Sequence, residues 1–565
     1  MKVPDKLKKA IARAAKDAGI SVTPEVVELE HPAELKNGDY STGIALQYAK
    51  QEGMAPRVLA EKIVTSLGEV AGVEKIEVAG AGFINFYLTS SALAEALEEA
   101  RAEDMWGCNA TRKGQTIMVE YTDPNPFKEF HIGHLMSNAI GESVARLFEF
   151  SGAKVLRANY QGDIGPHVAK SLFILLERGV TDPTIVDLSS AYPEGSRRYD
   201  EEPEAKAAID AINKKIYEKS DSRVNDLYAK GRKLSLEHFE DIYKILGTKF
   251  DYYFFESETW SRGLEVVRAH PEVFEESEGA IVFKGEKYGL HTRVFINRLG
   301  LPTYEAKDLG LALVKREKAA FDLSFTITAH EQSEYFKVVA MALGLALPEF
   351  AGKLLHRSHG MMRLAHTATA EGFAEGKMSS RTGNVITGES LLHDLADAAK
   401  VRAAESRAEN PETLAQQIAV GAIKYQILKQ ASHKDIIFDR DRALSLEGDS
   451  GPYLQYAHAR AKQLSDKARE QNVSSIVDAN IEPNDLTRLL QRFPEAVEYA
   501  ASHNEPHLLT NYLLEFAAAF NRWYANELIL DGTPAASHKI AVVDAVRRTL
   551  KNGLWLLGIP APEKM

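Results

Sequence analysis

The sequence predicts an α/β protein in which a region of strands and helices follows a small α+β region and precedes an all-helical region. Three observations predict this fold class. Residues 116–141, TIMVEYTDPNPFKEFHIGHLMSNAIG, have the pattern of a strand, a turn and a helix. Alternating apolar runs at 75–78 and 83–88 predict two earlier strands among helical segments. From about residue 404 to the C-terminus the apolar spacing is almost continuously that of amphipathic helices.

Composition limits the function classes. A chain of 565 residues with 45% hydrophobic residues is long enough for several domains. No apolar run has membrane-spanning length, and residues 1–19 form a charged amphipathic pattern, not a signal sequence. The single cysteine, Cys108, excludes disulfides within the chain and a multi-cysteine zinc site. We expect a cytoplasmic protein whose net charge of −12 excludes a general nucleic-acid coat but permits a local basic face for RNA.

The N-terminal region, residues 1–110, is predicted to be a separate α+β domain. A helical first segment is followed by the turn-rich sequence GDYSTG at 38–43 and by a helical stretch at 55–67. The two alternating runs then follow. From these patterns alone it is an accessory domain without an assigned role.

The strand, turn and helix at 116–141 predict an anion site. The sequence DPNP at 123–126 ends the strand, and helical spacing begins at His131. His131 and His134 are three residues apart, so both rings fall on one face of the first turn. Gly133 between them leaves room for a flat ring or a phosphate at the backbone, where free N–H groups stabilise anions. The pattern favours a nucleoside triphosphate site, although two solvated histidines would give the same motif.

Two further segments belong to the central region. Residues 155–158 predict a second strand, and the polar sequence at 159–165 predicts a loop after it. Residues 193–246 are highly charged with helical spacing. Such charged runs are most often solvated helix faces.

A basic loop lies far downstream of the histidine motif. The sequence GKMSSRTGN at 376–384 is small, polar and basic, as in loops that close over phosphates. In this order the two motifs resemble the HIGH and KMSKS signatures of class I aminoacyl-tRNA synthetases. The resemblance implies a catalytic domain at 111–400 with a Rossmann-type parallel sheet and a helical insertion at about 170–290. It also implies the use of ATP with Mg²⁺. It assigns the ATP site to His131, Gly133, His134, Lys377, Met378, Ser379, Ser380 and Arg381.

One position departs from the KMSKS pattern. Ser380 stands where the second lysine of the signature is expected, so one cation toward the triphosphate is missing. Lys128, three residues before His131, lies where arginyl-tRNA synthetases without that lysine often carry one. We expect Lys128 to supply the missing charge, with Arg381 as the alternative.

Four residues have the chemistry of a guanidinium site. Glu256 lies in FFES, Tyr304 and Asp308 lie four apart, and Gln332 follows the apolar run at 323–328. A planar guanidinium requires several acceptors, ideally two carboxylates and a phenol. Singly, such residues are usually helix caps or surface residues. Their order resembles arginyl-tRNA synthetases, which implies that they bind arginine, with the α-ammonium group held by Glu120 and Asn125.

The resemblance extends over nearly the whole chain. GDYSTGIALQYAK and GAGFINFYL are similar to the N-terminal domain of arginyl-tRNA synthetases, which implies contact with the outer corner of tRNA through Phe83 and Asn85. Residues 401–565 resemble the helical anticodon-binding domain. Within the family motif at 159–167, Ile164 replaces a tryptophan and His167 a glutamine, which puts the local contacts in doubt. The anticodon candidates, which could equally be core residues, are Tyr453, Tyr456, Arg460, Trp523 and the C-terminal Met565.

The resemblance implies ATP-dependent joining of L-arginine to its tRNA. The expected partners are tRNA, L-arginine and ATP, with no membrane, no protein metal site and a monomeric chain. Three alternatives stay open: a class I synthetase for another amino acid, a small-molecule nucleotidyltransferase, which would lack the helical C-terminal domain, and an inactive tRNA-binding paralogue.

Overall fold

The computed structural model describes residues 3–365, 387–406 and 408–565. The chain forms two compact units. The first comprises residues 1–107, 457–495 and 515–552, and the second comprises residues 108–456, 496–514 and 553–565. No helix in the described part of the chain is long and apolar enough to cross a membrane.

The N-terminal segment is a three-stranded antiparallel sheet covered by helices. Strand β3 lies between β1 and β2. Leu7 and Ile11 of the first helix share one apolar core with Ile84 and Phe86 of β3, which confirms the predicted α+β region. The elements are α1 (Val3–Asp17), β1 (Tyr40–Thr42), α2 (Ile44–Tyr48), α3 (Pro56–Leu67), β2 (Val73–Ala79), β3 (Phe83–Leu88) and α4 (Ser90–Ala102).

The central segment contains a five-stranded parallel sheet with the order β11-β10-β4-β5-β6, which confirms the predicted α/β class. Ile117, Met118 and Val119 of β4 are buried, as expected for a strand covered on both faces. The elements are β4 (Thr116–Glu120), α5 (Ile132–Phe150), β5 (Lys154–Gln161), α6 (Pro166–Glu177), α7 (Ile185–Glu201), α8 (Pro203–Glu218), α9 (Ser222–Leu246), β6 (Tyr252–Phe255), α10 (Glu256–Ala269), β7 (Glu275–Ser277), β8 (Ala280–Phe283), β9 (Arg293–Ile296), α11 (Tyr304–Lys318), β10 (Leu323–Ala329), α12 (Ser333–Ala346), β11 (Leu354–His359) and β12 (Met362–Leu364).

Two additions interrupt the alternation of strands and helices. Helices α6 to α9 lie between β5 and β6, and their apolar faces form a core of their own that includes Leu172, Ile209 and Leu227. Strands β7, β8 and β9 form a small antiparallel sheet between α10 and α11. The charged run at 193–246 is thus helical, with its apolar residues turned inward.

The described residues of the C-terminal segment are mostly helical and include one short strand. Strand β13 pairs with β12 in parallel and interrupts the helical pattern predicted from residue 404 onward. Residues between α16 and α17 interrupt it again. The elements are α13 (Gly388–Ala404), α14 (Pro411–Leu428), β13 (Ile436–Phe438), α15 (Arg440–Ala443), α16 (Gly451–Glu470), α17 (Asp485–Leu490), α18 (Phe493–His503), α19 (Pro506–Asn526) and α20 (Ala536–Leu556).

The predicted loop at 159–165 is wrong for its first three residues. Asn159, Tyr160 and Gln161 continue β5 and pair with Tyr253 to Phe255 of β6. Asn159 and Gln161 are buried polar residues, so their polarity, which suggested a loop, does not report solvent exposure here.

Candidate active site at the carboxyl edge of the sheet

The carboxyl ends of the five parallel strands meet at one edge of the sheet. From β4 the chain adds strands first on one side, β5 and β6, and later on the other, β10 and β11. Such a reversal leaves a crevice at the carboxyl ends of the central strands, where open α/β sheets bind ligands. Glu120 ends β4, Glu256 directly follows β6, and Gln332, exposed in a 3-10 turn, follows β10. Three predicted arginine-site residues therefore lie along this edge.

The loop between β4 and α5 has an unusual backbone. Thr122, Asp123 and Phe127 have φ angles of 81°, 46° and 66°, which residues other than glycine rarely adopt. Two side chains of α5 hold the loop: the Thr122 N–H donates to Ser137 Oγ at 2.9 Å, and Asn138 Nδ2 donates to Thr122 Oγ1 at 3.0 Å. Strained backbone of this kind persists where the surroundings over-determine it, often beside a functional site.

Asn125 and Asp123 connect this loop to the end of β5. Asn125 Oδ1 accepts a hydrogen bond from the Gly162 N–H at 3.0 Å, and Asp123 Oδ1 accepts one from the Tyr160 N–H at 2.7 Å. A side chain at position 162 would collide with Asn125, because a Cβ there would lie 2.4 Å from its Oδ1. Burial and the neighbouring Glu120 raise the pKa of Asp123 well above its usual range.

The two signature histidines stack at the start of α5. Their ring centroids are 3.5 Å apart with an angle of 22° between planes, and the His131 N–H donates to His134 Nδ1 at 3.1 Å. Burial, followed by the charge of Lys128, lowers the pKa of His131 to about 4; burial and His131 hold that of His134 well below its usual value. Both rings are thus neutral at physiological pH. Since His134 Nδ1 is an acceptor, its proton lies on Nε2, which can donate to an anion at the helix N-terminus.

Gly133 has a steric role in this pair. A Cβ at position 133 would lie 3.0 Å from two atoms of the His131 ring, so glycine leaves the space that the stacked rings need. Close approach of a nucleotide to this backbone stays a prediction.

Lys128 and the downstream basic loop belong to the same predicted site. Lys128 is half-buried, with Nζ 4.7 Å from the centroid of the Tyr192 ring. The chain after the loop returns to the histidine motif, because Thr387 pairs with His131 and the Gly388 N–H donates to the Phe130 carbonyl at 2.7 Å. The loop residues Lys377, Met378, Ser379, Ser380 and Arg381 lie outside the described residues.

The predicted guanidinium site is built mainly from the first turns of α11 and α10. Tyr304, which is 60% exposed, and Asp308 lie one turn apart, and Asp308 Oδ2 accepts a hydrogen bond from the Tyr335 hydroxyl at 2.6 Å. Glu256 is buried, and its Oε2 lies 2.6 Å from Nζ of Lys307. Lys307 Nζ also lies 5.1 Å from the centroid of the Tyr304 ring. The structure therefore brings Glu256 and Tyr304 together around a lysine that the sequence did not indicate.

Glu120 has a lysine partner as well. Its Oε2 lies 2.6 Å from Nζ of Lys315, and both side chains are buried. Lys315 also donates to Ser324 Oγ at 3.2 Å. A contact between Glu120 and the α-ammonium group of arginine stays a prediction, and it would have to be shared with this ion pair.

Asp308 differs electrostatically from the other two carboxylates. Burial raises the pKa of Asp308 to about 7, with Glu120 and Glu256 acting in the same direction and the Tyr335 hydrogen bond acting against it. Glu120 and Glu256 each face a lysine, whereas the partner of Asp308 is a neutral hydroxyl. A carboxylate whose charge is destabilised by burial gains most from an incoming cation, so the arrangement favours a cation beside Asp308.

Two buried residues at the end of β5 were not among the predicted site residues. Asp163 Oδ2 accepts hydrogen bonds from Arg232 Nε at 2.7 Å and the Ser257 hydroxyl at 2.8 Å, and its Oδ1 accepts from the Ser257 N–H at 2.9 Å. It thereby holds the start of α10, where Glu256 lies. Gln161 Oε1 is buried and has no hydrogen-bond partner within the described residues, so it can accept from an N–H donor of a ligand. The sequence signal that could have indicated these two residues was the motif at 159–167, of which residues 159–165 were predicted to form a loop.

The two departures from the family motif make defined contacts. Ile164 is buried in the same apolar core as Phe127 and Val168. His167 Nε2 lies 2.7 Å from the Gly162 carbonyl oxygen, and burial lowers the pKa of His167 to about 3. The neutral ring therefore donates through Nε2 to this carbonyl.

The predicted tRNA contacts lie in varied surroundings. Phe83 is 41% exposed, whereas Asn85 is buried and its Oδ1 accepts from the Ser41 hydroxyl at 2.7 Å. Arg460 donates to Asn521 Oδ1 at 2.6 Å, and its guanidinium lies 4.6 Å from the centroid of the Tyr524 ring. Contacts of all these residues with tRNA stay predictions. The remaining candidates are half-buried: Tyr453, Tyr456, Trp523 and Met565.

Comparison with known families covers almost the entire chain. The model described as "tRNA synthetases class I (R), catalytic domain" matches residues 96–440. The models described as "Arginyl tRNA synthetase N terminal domain" and "DALR anticodon binding domain" match residues 5–88 and 454–565.

Individual relatives are similar to this chain along almost the whole of both sequences. The arginine–tRNA ligase of Clostridium perfringens is 30% identical over 581 residues, which cover 99% of this chain and 100% of that protein. The arginyl-tRNA synthetase of Thermus thermophilus has a TM-score of 0.82 at 27% identity and covers 99% of both chains. The enzyme of Plasmodium falciparum has the same fold, with a TM-score of 0.80 at 20% identity. A catalytic-domain match over more than half of the sequence, together with a relative at 30% identity over its full length, establishes that this chain belongs to the arginyl-tRNA synthetase family of class I aminoacyl-tRNA synthetases.

Proposed function

We propose that the crevice at the carboxyl edge of the sheet activates L-arginine with ATP and transfers it to tRNA. In the first step the arginine carboxylate attacks the α-phosphorus of ATP, forming arginyl-adenylate while pyrophosphate leaves. In the second step a hydroxyl of the 3′-terminal adenosine attacks the acyl carbon, and AMP leaves. Because no covalent enzyme intermediate is required, the protein acts by positioning the reactants and stabilising the charge of the phosphates.

The phosphate groups are proposed to bind at the start of α5. The observation that carries this is the neutral, stacked pair His131 and His134, in which a fixed Nε2–H of His134 adds a donor to the free N–H groups of the helix N-terminus. Lys377 and its neighbours in the downstream loop would complete this site. Mg²⁺ is proposed to arrive with ATP, which carries most of its ligands in such sites.

Arginine is proposed to bind with its guanidinium beside Asp308. Glu256 and Tyr304 would complete the acceptor set, with Gln332 at the rim of the crevice. Glu120 and Asn125, which lie at and just after the end of β4, would hold the α-ammonium group. The buried acceptor of Gln161 adds one further place for an N–H donor of the substrate.

Contacts with tRNA are proposed for the two terminal regions. Residues 1–110 would contact the outer corner of the molecule and residues 401–565 the anticodon, with the 3′ end reaching the crevice. A monomer acting in the cytoplasm is proposed. The side chains proposed to contact tRNA are Phe83, Asn85, Tyr453, Tyr456, Arg460, Trp523 and Met565.

The function is tested by exchange of labelled pyrophosphate into ATP, with each of the twenty amino acids, with and without total tRNA. We expect exchange with arginine only. Exchange that also requires tRNA would show that activation depends on tRNA. Exchange with a different amino acid would place the protein in the right class but contradict the pocket of Asp308, Tyr304 and Glu256. Absence of exchange under every condition, together with retained tRNA binding, would support an inactive paralogue.

Lys128→Ala is expected to slow adenylate formation by about 10- to 100-fold, the effect of losing one hydrogen bond to a charged group. Lys128 replaces the lysine that is missing at position 380, and its charge already acts on both signature histidines. Single-turnover rates of Lys128→Ala and Arg381→Ala compare the two candidates directly. Lys154→Ala removes the same charge at the opposite, amino end of β5 and serves as the control. Activation at the wild-type rate by Lys128→Ala would assign the role to Arg381 instead.

A further inference from the structure

Lys307 already occupies part of the pocket proposed for the arginine side chain. Its Nζ lies 2.6 Å from Glu256 Oε2 and 5.1 Å from the centroid of the Tyr304 ring. Both members of the ion pair are buried, with Lys307 5% exposed and Glu256 6% exposed. A carboxylate and an aromatic face are the two features that a substrate cation would use. The protein therefore holds a cation of its own at this position.

The resident group is an ammonium ion. Burial acts to lower the pKa of Lys307, yet Glu256 and Tyr217 raise it above its usual value. Leaving Glu256 without this partner would cost the desolvation of a buried charge. An incoming side chain must therefore either replace the ammonium group at Glu256 or form hydrogen bonds with Glu256 and Asp308 that an ammonium group cannot form.

We propose that Lys307 is a specificity-determining residue that excludes amino acids with a simple ammonium side chain, lysine above all. This inference rests on the proposed function, because it takes Glu256 and Asp308 as acceptors for the substrate side chain. Free lysine offers Glu256 the same group that Lys307 already provides. It would compete with a tethered ammonium ion, whose effective concentration is of the order of millimolar or higher for a short tether. At Glu256 it would also lose its own translational and rotational freedom without a compensating new interaction.

A guanidinium group does not meet the same competition. It presents five N–H donors in a rigid plane and forms paired hydrogen bonds with carboxylates, whereas an ammonium ion is a compact point charge. It can bind Asp308, whose hydrogen-bond partner among the described residues is the Tyr335 hydroxyl, and still form a hydrogen bond with the second oxygen of Glu256. Arginine is thus favoured over lysine for two reasons. Its planar guanidinium can form hydrogen bonds with both carboxylates, whereas lysine must compete with Lys307 at Glu256.

The test compares Lys307→Met with the wild-type enzyme in arginine-dependent pyrophosphate exchange with tRNA, using L-lysine as inhibitor and as substrate. Methionine is unbranched like lysine and one atom shorter, so it keeps most of the side chain and removes the ammonium group. We expect the inhibition constant of lysine to fall about tenfold or more, the size of one regained charge-assisted hydrogen bond. Lys318→Met, an exposed lysine in the last turn of the same helix, is the matched control and should leave lysine excluded.

Lys307→Arg keeps the buried pair and provides a second measurement if the methionine variant does not fold. A resident guanidinium would compete with the substrate for the same acceptors, so KM for arginine should rise while lysine stays excluded. An unchanged lysine inhibition constant in Lys307→Met, or an unchanged KM for arginine in Lys307→Arg, would overturn the proposal.

Glu256→Gln separates this proposal from the proposed function. If Glu256→Gln leaves KM for arginine unchanged, Glu256 is not part of the arginine site, and the pocket assignment itself fails. If Glu256→Gln raises KM for arginine while Lys307→Met still excludes lysine, only the role of Lys307 fails.

Discussion

Replacing Asp308 by asparagine is expected to raise KM for L-arginine about 100-fold, since removing one partner of a buried charge pair costs about 2–5 kcal/mol and each 1.4 kcal/mol is tenfold. Glu120 and Glu256 are paired with Lys315 and Lys307, so Asp308 is the acceptor best able to neutralise the substrate guanidinium. KM for ATP should change little, because the phosphates are proposed to bind at α5. Pyrophosphate exchange with arginine varied at saturating ATP, and with ATP varied at saturating arginine, gives the two constants.

The wild-type enzyme should also show a pH dependence that the asparagine variant lacks. Burial raises the pKa of Asp308 to about 7, so the carboxyl is increasingly protonated as the pH falls below that value. Arginine, a cation, binds the ionised form, and one proton is linked to binding. KM for arginine should therefore rise by up to about tenfold for each pH unit below 7 and level off above pH 8.

The variant should fold at least as well as the wild type. An asparagine oxygen can still accept the Tyr335 hydroxyl, and a carboxyl whose pKa is raised by folding destabilises the folded state at pH values above its unfolded pKa. Equal or higher thermal stability at pH 8 is the expected control result. Glu317→Gln, which changes an exposed residue in the last turn of α11, should change neither constant. A wild-type KM for arginine in Asp308→Asn would contradict the assignment of the guanidinium site.

The elements nearest to the signature motif were predictable because several local signals agreed. The β-branched run of β4, the DPNP turn and the glycine between two histidines are all local signals, and the strand and the start of the helix lie close to the predicted residues. The short spacing from His131 to His134 also predicted the shared face that the stacked rings occupy.

The end of β5 was predicted wrongly for a physical reason. Polar residues normally indicate exposed backbone, yet Asn159 and Gln161 are buried strand residues at the edge where ligands bind. Asn159 Nδ2 is partly satisfied by the Tyr243 hydroxyl at 3.3 Å, and Gln161 Oε1 has no partner in the described part of the chain. Binding sites break the usual relation between polarity and exposure, so such residues resemble a loop in sequence.

The lysine partners of the site carboxylates could not be predicted from local patterns. Glu256 and Lys307 are 51 positions apart in the chain, and their contact depends on the packing of α10 against α11. The glycines at 263 and 310 permit that close packing, since a Cβ at either would lie about 2 Å from a carbonyl oxygen of the facing helix. The spacing of Tyr304 and Asp308 predicted that they lie on one helix face, but it did not indicate which carboxylates of the pocket are paired with lysines.

Replacing His134 by alanine is expected to slow adenylate formation by about 10²- to 10³-fold, the usual effect of removing one preorganised donor from a developing anion. His134 is buried and neutral, and its Nδ1 accepts the His131 N–H, so Nε2–H is the group available to a phosphate. KM for ATP should change much less than the single-turnover rate, because the donor acts on charge that develops during the reaction. Rapid-quench measurement of arginyl-adenylate, with tRNA present, separates the two quantities.

Asparagine and glutamine at position 134 distinguish catalysis from helix capping. The asparagine amide reaches the position of Nδ1 and can keep the capping hydrogen bond to His131, whereas the glutamine amide reaches the position of Nε2 and can keep the donor. If the donor is what matters, His134→Gln should retain more activity than His134→Asn, which should be close to alanine. The reverse order would mean that His134 serves only to hold the start of α5.

Because neither histidine titrates near neutral pH, the activation rate of the wild type should not change between pH 6 and 9 through titration of these histidines. A change of rate in that range that persists in Asp308→Asn would contradict the neutral pair.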